Sequence, residues 1–385
     1  MTPEPWREAG FGLYIHWPYC QAKCPYCDFN SHVVAKIDQG QWATAYLAEL
    51  DRTALETEGR VLDTVFFGGG TPSLMDPKLI DQITDRIRRN WSLANNFEAT
   101  MEANPSSVEA DRFAAYRLAG IDRVSLGIQA LNDPDLKALG RLHSVSEART
   151  ALDIAKSTFD RVSFDLIYAR QNQTPGEWRA ELTQALTFGT DHLSLYQLTI
   201  EDGTAFGDRF AIGKLCGLPD EDHAADMYEI TQELTEAAGL PAYEVSNHAR
   251  PSQESRHNLI YWRGGDYIGI GPGAHGRLTL SNKRVATETE LQPLEWLKRV
   301  RDTRSGETVR NEIDSDAQLS EYLMMSLRTN EGAQLTRLPN DFETIYSNKI
   351  NYLVEIELLE KTEVALRVPS HKRILLNAIL KELLT

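Results

Sequence analysis

The sequence predicts an α/β fold: a partial (β/α) barrel over residues 1–290, then a small, mostly helical, winged-helix-like domain over 291–385. Three observations predict it. Short apolar runs alternate with longer stretches of helical periodicity through most of the chain, which is the pattern of parallel strands joined by crossover helices. The alternation stops near Arg284, and helical patterns dominate beyond it. A chain of 385 residues, 42% of them hydrophobic, suits one large and one small domain, each with a real core.

Strands are predicted at 11–16, 64–68, 98–102, 123–127, 161–167, 192–198, 242–245 and 267–270. Helices are predicted between them at 39–56, 77–90, 108–119, 145–158, 175–187 and 222–238, with Gly120 and Gly239 as C-terminal stops for two of them. The early loops are long and the later units less regular, so an open, partial barrel is as compatible as a closed one. In such folds functional residues sit at the C-terminal ends of the strands. Beyond the barrel, helices are predicted at 293–304, 316–328, 347–359 and 371–384, with a hairpin at 358–368 between the last two.

Charge narrows the partners. Forty basic and 56 acidic residues give a net charge of −16, which argues against nucleic acid and does not repel a cationic compound. The opening residues MTPEPWREAGFG lack the apolar core of a signal peptide. No run approaches the ~18 apolar residues of a membrane span. The expectation is a cytoplasmic protein with no transmembrane segment, peripheral membrane contact being left open.

Three of the four cysteines fall within eight residues, in Tyr14-Ile15-His16-Trp17-Pro18-Tyr19-Cys20-Gln21-Ala22-Lys23-Cys24-Pro25-Tyr26-Cys27. Such crowding makes no sensible disulfide framework and points to a metal site. Thiolates suit iron–sulfur clusters and zinc. A structural zinc wants four closed ligands and an ordinary [4Fe–4S] cluster four thiolates. This loop offers three, and Cys216 is far away in sequence. Three thiolates on a cubane leave one iron open; zinc completed by His16 or Asp28 is the alternative.

Polar groups also stand where the strand-end rule puts function. An apolar strand runs into Gly68-Gly69-Gly70-Thr71-Pro72, whose glycines would let a ligand approach and expose N–H groups to an anion. Glu102 closes an apolar strand, which is costly unless it meets a partner or ligand. Gln129, Arg141 and Asp165 lie at or just past strand ends, and each alone has a structural hydrogen-bonding role as its alternative. Tyr14 and Tyr26 flank the cysteine loop, with core packing as theirs.

The C-x3-C-x2-C loop after the first strand resembles the hallmark of the radical S-adenosylmethionine (SAM) superfamily. The resemblance implies a [4Fe–4S] cluster on Cys20, Cys24 and Cys27, with the aminocarboxylate of SAM on the open iron. It implies electron transfer into the sulfonium and a deoxyadenosyl radical, the cofactors supplying the hard step. Gly69, Gly70 and Thr71 match the glycine-rich segment that meets the SAM amino group, and Glu102 a glutamate that contacts SAM. Gln129, Arg141 and Asp165 match positions lining the nucleoside pocket, with Tyr14 and Tyr26 packing on cluster or adenine.

Glu244-Val245-Ser246-Asn247, His257-Asn258-Leu259-Ile260-Tyr261-Trp262 and Gly269-Ile270-Gly271-Pro272-Gly273-Ala274-His275-Gly276 narrow this further. They resemble the oxygen-independent coproporphyrinogen III oxidase-like group, and its HemW-type haem-chaperone branch in particular. The oxidase has a fourth cysteine two residues past the third, where this chain has Phe29, and a longer arm before its first strand. The resemblance to the chaperone branch implies haem as a further cofactor, delivery of haem or porphyrin to client haem proteins, and an electron donor for the cluster. It ties His257, Tyr261 and Trp262 to haem; His275 and His16 are further candidate ligands. Oxidative decarboxylation of coproporphyrinogen III is the alternative activity. One departure stands out: after Asp165-Leu166-Ile167-Tyr168 the family usually has Gly-Leu-Pro, and this chain has Ala169-Arg170-Gln171, so the turn beside Asp165 is expected to be rebuilt.

Overall fold

A strand buried on both faces reads as a continuous apolar run, and Phe11–Trp17 is such a strand, with every residue except Tyr14 buried. In the computed structural model, which describes residues 6–385, it lies inside one large sheet. Residues 1–5 of the opening segment, on which the signal-peptide expectation bears, lie outside the described residues. Strands β1 (Phe11–Trp17), β2 (Val61–Gly69), β3 (Ser92–Ala103), β4 (Arg123–Gln129), β5 (Arg161–Tyr168) and β6 (His192–Gln197) pair in parallel in that order. β7 (Asn247–Ala249) closes one edge antiparallel to β6. β8 (Asp266–Ile270) returns to the far side of β1, parallel to it, and β9 (His275–Leu280), β10 (Lys283–Thr289) and β11 (Glu307–Glu312) continue antiparallel.

The order β11-β10-β9-β8-β1-β2-β3-β4-β5-β6-β7 leaves both edges unjoined, so the barrel is open. The sheet nevertheless wraps. Tyr14, Phe66, Glu102, Ser125, Asp165 and Ser194, from six successive strands, all line one cavity of ≈ 210 Å³. The opposite faces carry Leu13, Ile15, Val65 and Phe67 into a core shared with Trp42, Tyr46, Leu79 and Ile83 of the covering helices. Each such side chain contributes about 1.5–3 kcal/mol on burial. The helices start where their caps dictate: Asp38 accepts from Gly40 N ahead of Gln39–Glu56, and Ser144 and Thr174 form capping boxes with Glu147 and Glu177.

Three elements differ from the sequence-based expectation. The segment 242–245 is no strand: the Glu244 carboxylate accepts from Ser246 N at 2.8 Å and Asn247 Nδ2 at 2.7 Å, which turns the chain back so that Asn247–Ala249 pairs instead. The β9–β11 extension was not foreseen, because β11 is mostly exposed and its Glu-Thr-Val-Arg-Asn-Glu carries one apolar residue. The helix expected at 347–359 spans Phe342–Glu355.

A second core gathers Leu323, Leu327, Phe342, Leu353, Leu366 and Leu383. It surrounds a three-stranded sheet of β12 (Ala333–Gln334), β13 (Glu360–Lys361) and β14 (Ala365–Arg367), in the order β12-β14-β13. Helices around a small hairpin sheet give the winged-helix-like arrangement. Trp296 and Val300 of the helix Pro293–Thr303 belong to the first core, with Trp296 stacked on Trp42 at 5.5 Å. We therefore propose the domain division just past Glu312 rather than at 290. Among the described residues no helix is long and apolar enough to cross a membrane.

Candidate cluster and cofactor site

The parallel strands deliver their C-terminal ends to one place. The cysteine loop leaves β1, Gly69 ends β2, Glu102 is next to last in β3 and Gln129 ends β4. They meet at a cavity of ≈ 450 Å³ lined by all three cysteines. Of the residues assigned to SAM, Tyr26, Gly69, Gly70, Thr71, Glu102, Gln129, Arg141 and Asp165 line it. Tyr14 does not. It lines two neighbouring cavities, and its hydroxyl lies 3.1 Å from His16 Nδ1.

Cys20, Cys24 and Cys27 are free thiols, each half-buried, while Cys216 is exposed and outside the cavity. The sulfurs already hold donors: Thr71 Oγ1 donates to Cys20 Sγ at 3.4 Å, Arg141 Nη1 to Cys24 Sγ at 3.3 Å, and the Phe29 backbone N–H to the Cys27 sulfur. Burial pushes the Cys20 and Cys27 thiols up, a cost that metal coordination reverses by removing the proton. Among the described residues no three His, Cys, Asp or Glu side chains converge on a single ion. A cubane does not ask for that, since each thiolate takes a different iron. The zinc alternative loses His16, whose Nε2 lies 2.9 Å from Asn30 O and whose Nδ1 meets Tyr14, and among the described residues Asp28 does not converge with the cysteines on one ion. The donor set fits a three-thiolate cluster.

The glycine run does not offer the free N–H groups that were expected of it. Gly69 N donates to Glu102 Oε2 at 3.2 Å and Gly70 N to Trp17 O at 2.7 Å, so neither N–H is left for an anion. What the missing side chains admit is the protein itself: a Cβ on Gly69 (φ +106°) would lie 2.5 Å from the His16 ring. The run seats the cysteine loop against β2.

Glu102 and Asp165 form the acidic wall. Burial, and then the Asp165 charge, push the Glu102 carboxyl up to about 8. Burial likewise raises Asp165 to about 6 against the hydrogen bonds from Ser194 and Ser125, the latter 3.1 Å long. Paired carboxyls with raised affinity for positive charge suit a cationic ligand. Gln129 sits at φ 76° beside a register shift between Gly127 and Gln129, a left-handed conformation uncommon outside glycine. Sequence reading missed Ser125, Ser194 and the buried Arg123. The signal was the two-residue alternation: Ser194 stands in register with Asp165, on the same inward face.

The turn after Asp165 forms without glycine. Ala169 takes φ 55°, and Arg170, buried, donates to Ile167 O, Asp135 and Glu181.

A second cavity of ≈ 450 Å³ adjoins the first and shares Phe29, Gly69 and Glu102 with it. Tyr261, Trp262 and His275 line it, but His257 does not. His257 is fully buried, with Nδ1 2.7 Å from Thr64 Oγ1 and Nε2 2.6 Å from Tyr261 Oη. Burial lowers its pKa to about 3. Both ring nitrogens are engaged, so of the three candidate histidines His257 is not one presented to this cavity. Both nitrogens of His16 are engaged as well. The His275 side chain is 57% exposed, its nearest charged partner being Glu288 at 3.9 Å. Trp262 Nε1 is buried without a partner.

The comparisons with known proteins agree with this geometry. The family model described as Radical SAM superfamily matches residues 14–184. The haem chaperone HemW of Escherichia coli (strain K12) is 43% identical over 282 residues, 73% of each chain. HemW of Haemophilus influenzae is 35% identical over 386 residues, 97% of each chain. This chain belongs to the HemW family of radical SAM proteins. A further relative, the mitochondrial radical S-adenosyl methionine domain-containing protein 1 of Mus musculus, is 40% identical over 328 residues, covering 83% of this chain and 73% of its own. Among solved structures, coproporphyrinogen III oxidase (HemN) from Escherichia coli superposes with a TM-score of 0.81 at 20% identity, over 97% of this chain and 90% of that one. The shared fold therefore includes the C-terminal helical region of this HemW-family chain as well as the barrel.

Proposed function

We propose that this protein is a haem chaperone that keeps a radical SAM core, binds haem in the second cavity and passes it to client haem proteins. The name of its HemW relatives supports the chaperone reading. The observation that carries the haem site is the second cavity, walled off from the cluster cavity by shared Phe29, Gly69 and Glu102 and lined by Tyr261, Trp262 and His275. An exposed imidazole at the cavity wall is a normal axial ligand, and Trp262 and Tyr261 give a porphyrin flat surfaces to meet.

Cys20, Cys24 and Cys27 would hold the cluster, whose reduced form supplies the electron that cleaves SAM when both are bound. The protein's part is placement. Glu102 would ionise against a seated cationic amino group and Asp165 would accept from ribose hydroxyls, and Thr71 and Arg141 would orient the thiolates. Reduction requires an external one-electron donor.

The oxidase alternative draws on the likeness to HemN, which at 20% identity establishes the fold alone. Phe29, 57% exposed, stands where the oxidase-type loop has its fourth cysteine.

Anaerobic haem titration of the cluster-loaded protein tests the reading. His275→Ala should weaken haem binding at least tenfold and change the Soret spectrum. His257→Ala should lower stability while leaving that spectrum in place. Unaltered haem binding in His275→Ala would remove the ligand assignment. Conversion of coproporphyrinogen III to protoporphyrinogen IX by the parent would overturn the chaperone-only function.

A further inference from the structure

Arg141 is built into the cluster site more firmly than a ligand-binding side chain needs to be. It follows Gly140, which has φ +70° and packs so closely on the cysteine loop that a Cβ would lie 2.7 Å from Pro25 Cδ. Its guanidinium is clamped at two ends, donating through Nη2 to Gly127 O at 2.8 Å and through Nη1 to Cys24 Sγ at 3.3 Å. Its Nε is buried and has no partner. An arginine is charged at every working pH and its planar fork holds a fixed direction.

We propose that Arg141 is a positioning residue for the cluster, whose charge-assisted hydrogen bond to the Cys24 sulfur sets the reduction midpoint. The proposal rests on the reading of Cys20, Cys24 and Cys27 as cluster ligands. Reduction moves one electron from an external one-electron reductant into the oxidised cluster, taking it from the 2+ to the 1+ state with no proton transferred. The product is the more negative state. A cationic donor on a ligating sulfur favours it, as hydrogen bonds to cluster sulfurs raise reduction potentials. Thr71 does the same for Cys20 with a neutral hydroxyl, so its effect is smaller.

The test is a dye-mediated potentiometric titration of the anaerobically reconstituted full chain, without SAM, followed by the electron paramagnetic resonance signal of the reduced state. Omitting SAM separates cluster tuning from any effect on SAM affinity. Arg141→Met should make reduction about tenfold less favourable, which is a midpoint about 59 mV lower for one electron. Arg141→Lys keeps the charge and loses the fork, so it should fall between Met and the parent. Thr71→Val should shift the same way by about threefold in the equilibrium constant. An unchanged midpoint in Arg141→Met with the parent's iron content overturns the proposal. Should the Met variant fail to load, an unchanged midpoint in Arg141→Lys overturns it instead. A parent chain that takes up no cluster would sink the cluster reading itself, a distinguishable result.

Discussion

Asn30 donates from its side-chain amide to the carbonyl of Pro272 at 2.9 Å, and the same nitrogen donates to Leu291 O at 2.9 Å. Its Oδ1 lies 3.0 Å from His32 Nε2, and its backbone carbonyl 2.9 Å from His16 Nε2. One residue at the end of the cysteine loop thus ties that loop to the turn ahead of His275. The two cavities share a wall as well as this tie. Asn30→Ala leaves two carbonyls without their donor, at a cost of about 1–3 kcal/mol. The expected result is a lower melting temperature and faster cluster loss in air, read by calorimetry and by decay of the cluster absorbance. Parent-like values for both would show that the tie holds nothing in place.

The cysteines predict a sharp division. Cys20→Ser, Cys24→Ser and Cys27→Ser each replace a soft thiolate with a hard oxygen and should lose the intact cluster, measured as iron and acid-labile sulfide per chain. Cys216→Ser should keep the parent's content, because Cys216 is exposed and outside the cavity. Loss of the cluster in that variant would end the three-ligand assignment.

How much of this was legible in the sequence depends on range. The cysteine triplet and the helix Gln39–Glu56 are local features, written in spacing and in the Asp38 cap, and both stand where the residues placed them. β11 was illegible because its pairing with β10 comes from backbone hydrogen bonds and not from an apolar face. The segment 242–245 was read as a strand because a turn held by a carboxylate folding back on its own backbone looks like a strand in composition. The burial of His257, away from the second cavity, was not legible in the sequence. A helical i,i+4 spacing already puts it beside Tyr261, and that hydrogen bond, with Thr64 on the other nitrogen, occupies the ring.

Ala169 offers a stability test. A left-handed alanine costs about 1 kcal/mol that glycine would not incur, partly offset by glycine's freedom in the unfolded chain. Ala169→Gly should therefore stabilise by about 0.5 kcal/mol. Arg170→Met should do the reverse by about 3–5 kcal/mol, because it strands Glu181 and Asp135 without their shared cation. Denaturant melts give both values. A destabilised Ala169→Gly would mean that the turn depends on the alanine methyl group.

Glu102 makes stability and ligand binding depend on pH in opposite senses. Its ordinary carboxyl value of 4.5 rises to about 8 in the ligand-free fold, chiefly by burial. Between those values the folded protein keeps a proton that the unfolded chain has released, so stability is greatest at the acid side and falls as pH rises toward about 8. Asp165, raised to about 6, adds to the slope over the lower part of that range. A cationic amino group seated against Glu102 needs the carboxylate, so binding expels the proton. SAM affinity should rise with pH, by up to about tenfold per unit, and level off above about 8. Glu102→Gln removes the ionisation: its ligand-free melting profile should be flatter, and its SAM affinity low and nearly independent of pH. Melting curves and calorimetric SAM titrations in buffers of different ionisation enthalpy read both effects, the second counting the released proton directly. Parallel profiles for the parent and Glu102→Gln would place the titrating group elsewhere on the acidic wall, with Asp165 the next to replace.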